Sequence, residues 1–124
     1  MRMEEWPAPT MARWLARAKR TQIEVFGGDP ASLDPQARLA WTRNMVLGLI
    51  VEATEVLGEV KAWRWWRPGD SGFDRDAYIM ELVDVVKFAG ALAVAVDCTD
   101  EEWNHAWFKK DLINADRFAP EGEA

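Results

Sequence analysis

Glu52, Glu55, Glu81 and Asp84 occur as two pairs, Glu52-Ala-Thr-Glu55 and Glu81-Leu-Val-Asp84. Both stretches carry helical patterning, and a spacing of three residues sets each pair on one helical face. Like charges so placed repel, by roughly 0.2–0.5 kcal/mol per pair in a bare helix. Two such faces set against each other need a cation between them, so the pattern predicts a divalent-metal site. Carboxylates without His or Cys partners suit Mg²⁺, or Mn²⁺, rather than zinc. The chain has one cysteine, Cys98, and one histidine, His105. The alternative is a solvated acidic face. Against it, no Lys or Arg stands three or four residues from Glu52, Glu55 or Glu59, the usual relief on a surface helix. Trp41 extends that face upstream, and Trp63 and Trp66 extend it downstream if the helix continues, which solvent faces seldom allow.

Four helices are expected to carry these residues. Thr10 is a plausible N-cap for the first, over about 10–26, and Gly27-Gly28-Asp29-Pro30 ends it. Asp34-Pro35 opens the second, which runs to the low 60s. Arg67-Pro68-Gly69-Asp70-Ser71-Gly72 breaks the chain before a third helix over about 74–96. Thr99-Asp100-Glu101-Glu102 has the form of a capping box and opens the fourth, about 100–118. Short connections and the lack of strand alternation predict an all-α four-helix bundle. Residues 1–124 read as one domain, with 1–9 an extended arm and 119–124 a flexible tail.

On the second helix, Leu39, Val46, Leu49, Ile50, Ala53, Val56, Leu57 and Val60 share an arc expected to be core. Ile79, Leu82, Val83 and Val86 are expected to do the same on the third. The fourth helix sets Lys110, Asn114 and Arg117 in a narrow arc beside Trp103 and Trp107. That arc is either a phosphate-binding face or a solvated basic strip near a helix C-terminus. Gln22 sits inside the apolar stripe of the first helix, where a buried amide needs partners. It either reads a base edge or bonds neighbouring backbone. In Trp63-Arg64-Trp65-Trp66, the rings either stack on a nucleobase or plug the bundle end, Trp65 being the best placed to plug.

Of the 124 residues, 49% are hydrophobic, enough for a core, and the net charge is −6. An acidic chain is a poor general nucleic-acid or anionic-membrane binder. No apolar run reaches the ~18–20 residues that span a bilayer. The N-terminus lacks the apolar stretch of a signal peptide, so a cytoplasmic protein is expected.

Taken together, these motifs resemble the all-α nucleoside triphosphate pyrophosphohydrolases, which include the MazG-like enzymes and the dimeric dUTPases. Their Glu-x-x-Glu and later Glu-x-x-Asp correspond to Glu52–Glu55 and Glu81–Asp84. The likeness is greatest to the dimeric dUTPases, whose aromatic-Lys-aromatic-Trp element is similar to Trp63-Arg64-Trp65-Trp66. Their aromatic-x-x-Lys-x-x-x-Asn-x-x-Arg element is similar to the run from Trp107 through Lys110 and Asn114 to Arg117. The similarity spans about residues 36–118. Two departures stand out: Arg64 replaces the usual Lys, and Phe118-Ala119-Pro120 follows Arg117 where Gln-x-x-Gly-Tyr is common.

The resemblance implies Mg²⁺-dependent cleavage of a deoxynucleoside triphosphate, dUTP first, to the monophosphate and pyrophosphate. Glu52, Glu55, Glu81 and Asp84 would hold the metal, with Glu59 an additional candidate, and Glu55 would activate water. Lys110, Asn114 and Arg117 would hold phosphate, and Gln22 and Trp66 would contact the base. It also implies a homodimer or homotetramer. The alternatives are a MazG-like enzyme for dCTP, dGTP or non-canonical nucleotides, and a non-catalytic helical interaction module.

Overall fold

The computed structural model describes residues 13–61, 64–67, 69 and 72–118. Four helices follow in order: α1 (Trp14–Glu24), α2 (Pro35–Glu59), α3 (Arg75–Ala95) and α4 (Asp100–Arg117). A single 3₁₀ turn, Pro30–Ser32, lies between α1 and α2, and no strand occurs among the described residues. The protein is an all-α four-helix bundle, as the patterning predicts. No described helix is long and apolar enough to cross a membrane.

The helix starts follow local chemistry. Asp34 accepts from the Ala37 amide at 2.9 Å, with Pro35 at the first helical position. Asp74 accepts from Asp76 and Ala77. Thr99 and Glu102 close the expected capping box, each side chain bonding the other's backbone amide at 3.1 Å. Helix α1 differs. Thr10 lies outside the described residues, and Arg13, at φ 65°, precedes the first turn without a side-chain cap. Asp100 supplies the acceptor instead, taking the Leu15 amide at 3.0 Å from the start of α4. One carboxylate thus pins the α1 start to the α3–α4 turn. That turn is a Schellman closure: the Asp97 and Cys98 amides donate to Val94 and Ala93, with Asp97 left-handed.

The buried core is small and lies where α1 crosses the second half of α3. Leu15, Ala91, Ala93, Val94 and Ala95 form it. Gly90 allows the close approach, since a Cβ there would meet Trp14 Cζ2 at 3.0 Å and the Ala18 Cβ at 3.2 Å. Trp103 of α4 packs on Trp14 with ring centroids 4.9 Å apart.

Helix α2 corrects the sequence reading. The face it turns to α3 carries Gly48 and the acids, not the apolar arc. Leu39 (59% exposed), Val46, Ile50 (55%), Ala53, Leu57 and Val60 are exposed, and only Leu49 and Val56 are half-buried. Periodicity finds a face and says nothing about which neighbour covers it. On α3, Ile79, Leu82, Val83 and Val86 are likewise exposed, and line a cleft rather than filling a core. Trp65 is 86% exposed and plugs nothing; it packs edge-on against Trp66.

Candidate active site

Helices α2 and α3 form the main helix pair and run antiparallel, so equal steps along each bring matching residues together. Glu52, Glu55 and Glu81 meet there, one carboxylate oxygen from each within 4.8 Å of the others. Asp84 lies outside that tight group but close enough for its charge to act on both Glu52 and Glu81. Glu52 Oε2 and Glu81 Oε2 are sealed from solvent and have no hydrogen-bond partner among the described residues. Partial burial pushes the Glu52 carboxyl above its usual range, and Glu55 and Asp84 push it further. Glu81 is raised in the same way, by burial first and then by Glu55, Asp84 and Glu52. Shielded carboxylates packed side by side, with no ion pair to a basic side chain shown among the described residues, fit a hard divalent cation, whose charge would satisfy both orphaned oxygens. Glu59, half-buried, follows one turn beyond Glu55.

Two of the acids, Glu52 and Asp84, line a cleft of about 1160 Å³ between α1, the 3₁₀ turn and the α2–α3 pair. Lys87, Phe88, Met45, Trp41 and Gln22 line it as well. Gln22 is only 8% exposed. Its side-chain amide bonds no other described residue and faces the cleft, so of its two readings the neighbouring-backbone bond is absent among the described residues. A mostly apolar cleft with a few convergent polar groups is the usual form of a small-molecule site.

The remaining candidates are not brought to this cleft. Lys110 and Asn114 share a separate shallow groove on α4 with Trp103 and Trp107. Arg117 lies over the Phe118 ring, 5.1 Å from its centroid. Helix α4 touches the other helices sparsely among the described residues, and most of that contact is with α1. Trp66 is exposed and does not line the cleft, and Trp63 lies outside the described residues. Burial, and then the nearby Glu102 and Asp100, push the Cys98 thiol up, away from the thiolate form.

Sequence reasoning missed Asp100 as the anchor of α1, and the seat of Phe88 on Gly48. A glycine inside a helix, one turn before Glu52, was the available signal.

An all-α bundle with a carboxylate cluster beside a largely apolar cleft has the make-up of a site for a metal ion and a small polar ligand. The family model described as dUTPase matches residues 26–119, and the chain belongs to that family. The match contains all four acids and the α4 cations, while Gln22 falls just before it. No curated protein and no solved structure matches the chain.

Proposed function

We propose that this protein hydrolyses dUTP to dUMP and pyrophosphate with Mg²⁺, Mn²⁺ serving as a substitute, and that residues 1–124 act as one catalytic unit in the cytoplasm. The observation that carries the reading is the pair of orphaned oxygens on Glu52 and Glu81, flanking Glu55 beside a cleft lined by a buried amide. Family membership supports nucleotide hydrolysis of the dUTP type.

Glu52, Glu55, Glu81 and Asp84 would hold the ion, with Glu59 available as a further oxygen donor. Bound there, Mg²⁺ would supply positive charge to the triphosphate and acidify water at the site. Glu55, between the other two glutamates, orients the attacking water and accepts its proton. The water adds to the α phosphorus, the bond to the α–β bridging oxygen breaks, and pyrophosphate leaves. Gln22 offers an amide N–H and a carbonyl to the base, matching the O4 acceptor and N3–H donor of uracil.

Lys110, Asn114 and Arg117 are the candidates for charge on the outer phosphates. Because α4 joins its own chain chiefly through α1, they would serve the cleft of a second copy. A homodimer or homotetramer also gives the exposed apolar arc of α2 a partner.

The test is a pyrophosphate-release screen over dUTP, the canonical dNTPs and the NTPs with Mg²⁺ and Mn²⁺. Highest kcat/KM on dUTP is expected. A ranking of dUTP below canonical dNTPs overturns the substrate and leaves a MazG-like activity; no release from any nucleotide overturns the enzyme.

A further inference from the structure

Helix α1 forms one wall of the cleft, through Trp14, Ala18 and Gln22 among others. It has 11 residues, short of the roughly 12–15 at which a helix holds on its own. Its N-cap, Arg13, offers no side-chain acceptor and stands in the left-handed region at φ 65°. It packs on α3, while its contact with α2, the facing wall, is sparse. The first turn is tied instead to α4: the Leu15 amide donates to Asp100 Oδ1 at 3.0 Å. Leu15 is 3% exposed, so without that carboxylate water reaches its amide only if the turn unwinds. Leu15 and Gln22 are the buried residues of α1 and lie seven apart, on one stripe of the helix.

We propose that Asp100 is the positioning residue of the α1 wall: by holding the first turn it sets the place of Gln22 in the cleft, and so the affinity for nucleotide, without touching the reaction. The role in affinity rests on the nucleotide reading above. Asp100 does not line the cleft, and the clustered acids lie on α2 and the first half of α3. Trp14 carries the effect. Its ring packs on Trp103 with centroids 4.9 Å apart, and its Cζ2 lies 3.0 Å from where a Cβ on Gly90 would be. A first turn that unwinds takes this ring off Gly90 and frees α1 to slip. One residue of slip is about 1.5 Å, well beyond the about 0.5 Å over which a hydrogen bond from Gln22 holds. Lys19 supplies a weaker hold, through ion pairs of 3.6 Å to Asp29 and 3.8 Å to Asp97 that are open to water. Apparent affinity falls with the fraction of chains in which α1 is seated.

The experiment measures three quantities: binding of α,β-imido-dUTP with Mg²⁺ by calorimetry, kcat for dUTP at saturation, and amide hydrogen exchange over residues 14–24. Asp100→Ala is expected to bind the analogue about twofold to thirtyfold more weakly, the range of a lost helix cap. Its α1 amides should exchange faster, while kcat and the affinity for Mg²⁺ alone stay near wild type. Asp100→Asn keeps the acceptor and should recover most of both losses. Glu101→Gln removes an equal charge from the same turn of α4 and should change neither. Asp100→Glu keeps the charge but carries the oxygens one methylene further; it should also bind more weakly, and it decides the matter if the alanine variant does not fold. Unchanged α1 exchange in Asp100→Ala, an equal loss in Glu101→Gln, or a fall in kcat with binding intact overturns the inference. A wild type that neither binds the analogue nor hydrolyses dUTP removes the nucleotide reading, whereas faster α1 exchange confined to the Asp100 variants supports the anchor by itself.

Discussion

Glu52 on α2 and Glu81 on α3 bring carboxylate oxygens within 4.8 Å of each other, and on each the Oε2 atom is shut off from solvent without a hydrogen-bond partner among the described residues. The arrangement is unfavourable until a cation arrives, so one substitution should have opposite effects with and without metal. Glu81→Gln removes a charge and adds an N–H that Glu55 can accept. Without Mg²⁺ at pH 8 its Tm should exceed that of wild type. Saturating Mg²⁺ should raise wild-type Tm by several degrees, since ligand at 100 Kd adds about 2.7 kcal/mol, and should leave the variant unmoved. Differential scanning calorimetry with and without EDTA checks both halves. A retained Mg²⁺ shift in Glu81→Gln would remove that residue from the site.

The same pair sets a pH dependence. Folding raises both carboxyls above the ordinary value of 4.5, so the folded chain keeps protons that the unfolded chain has released. This contribution to metal-free stability is full below 4.5 and is lost as pH rises through the folded-state values. Mg²⁺ needs the charged forms, so binding in that window must release protons. Calorimetric titration with Mg²⁺ in two buffers of different ionisation enthalpy should give buffer-dependent heats near pH 5 and none at pH 8. Buffer-independent heats at both would mean that the carboxyls are already ionised in the free protein.

The meeting of Glu52, Glu55 and Glu81 was legible because residue type and three-residue helical spacing are both local. The caps at Asp34, Asp74 and Thr99 are local too. What could not be read was orientation. The arc of Leu39, Val46, Ile50 and Leu57 has the periodicity of a core face, and periodicity is blind to whether the cover comes from the same chain. Capping of α1 by Asp100 joins residues 85 positions apart, a relationship no local pattern carries. Trp65 misled for a related reason: a large apolar ring predicts burial in some assembly, not in this chain alone.

Glu55 has a role separable from holding the fold together. Its side chain reaches both Glu52 and Glu81, and it is exposed, so the amide isostere fits without repacking. Glu55→Gln should lower kcat for dUTP by about 10²–10⁴, the usual contribution of a positioned base. Circular dichroism and metal-free Tm should match or exceed wild type. Full pyrophosphate release by this variant would remove the metal-catalysis reading.

If α4 serves a neighbouring cleft, two defective chains should repair each other. Glu55→Gln lacks the base, and Lys110→Ala with Arg117→Ala lacks the phosphate cations. Mixed and allowed to exchange subunits, they form hybrids in which one cleft has both an intact acid cluster and intact cations. Activity of the mixture should rise well above either parent alone, by about tenfold or more if each parent has lost a charged contact worth about 1.5–3 kcal/mol or more. No rise after verified exchange would mean that α4 acts within its own chain.

The outer face of α2 should be where copies meet. Leu39, Val46, Ile50, Ala53, Leu57 and Val60 succeed one another mostly at alternating three- and four-residue steps, with Arg43 in the one remaining step, which is the spacing of a helix–helix seam. All are exposed in the single chain. A 25-residue helix is about 37 Å long, enough for a seam of ordinary interface size once neighbouring side chains are counted. Ile50 lies mid-seam, so Ile50→Glu places a charge where two copies would desolvate it, at a cost that an interface does not recover. Light scattering after size exclusion should give at least twice the chain mass for wild type and a single chain for Ile50→Glu. Mg²⁺ affinity should change little, because the acids face α3 on the opposite side. A monomeric wild type, or an unchanged mass for Ile50→Glu, would assign the apolar arc to some other partner.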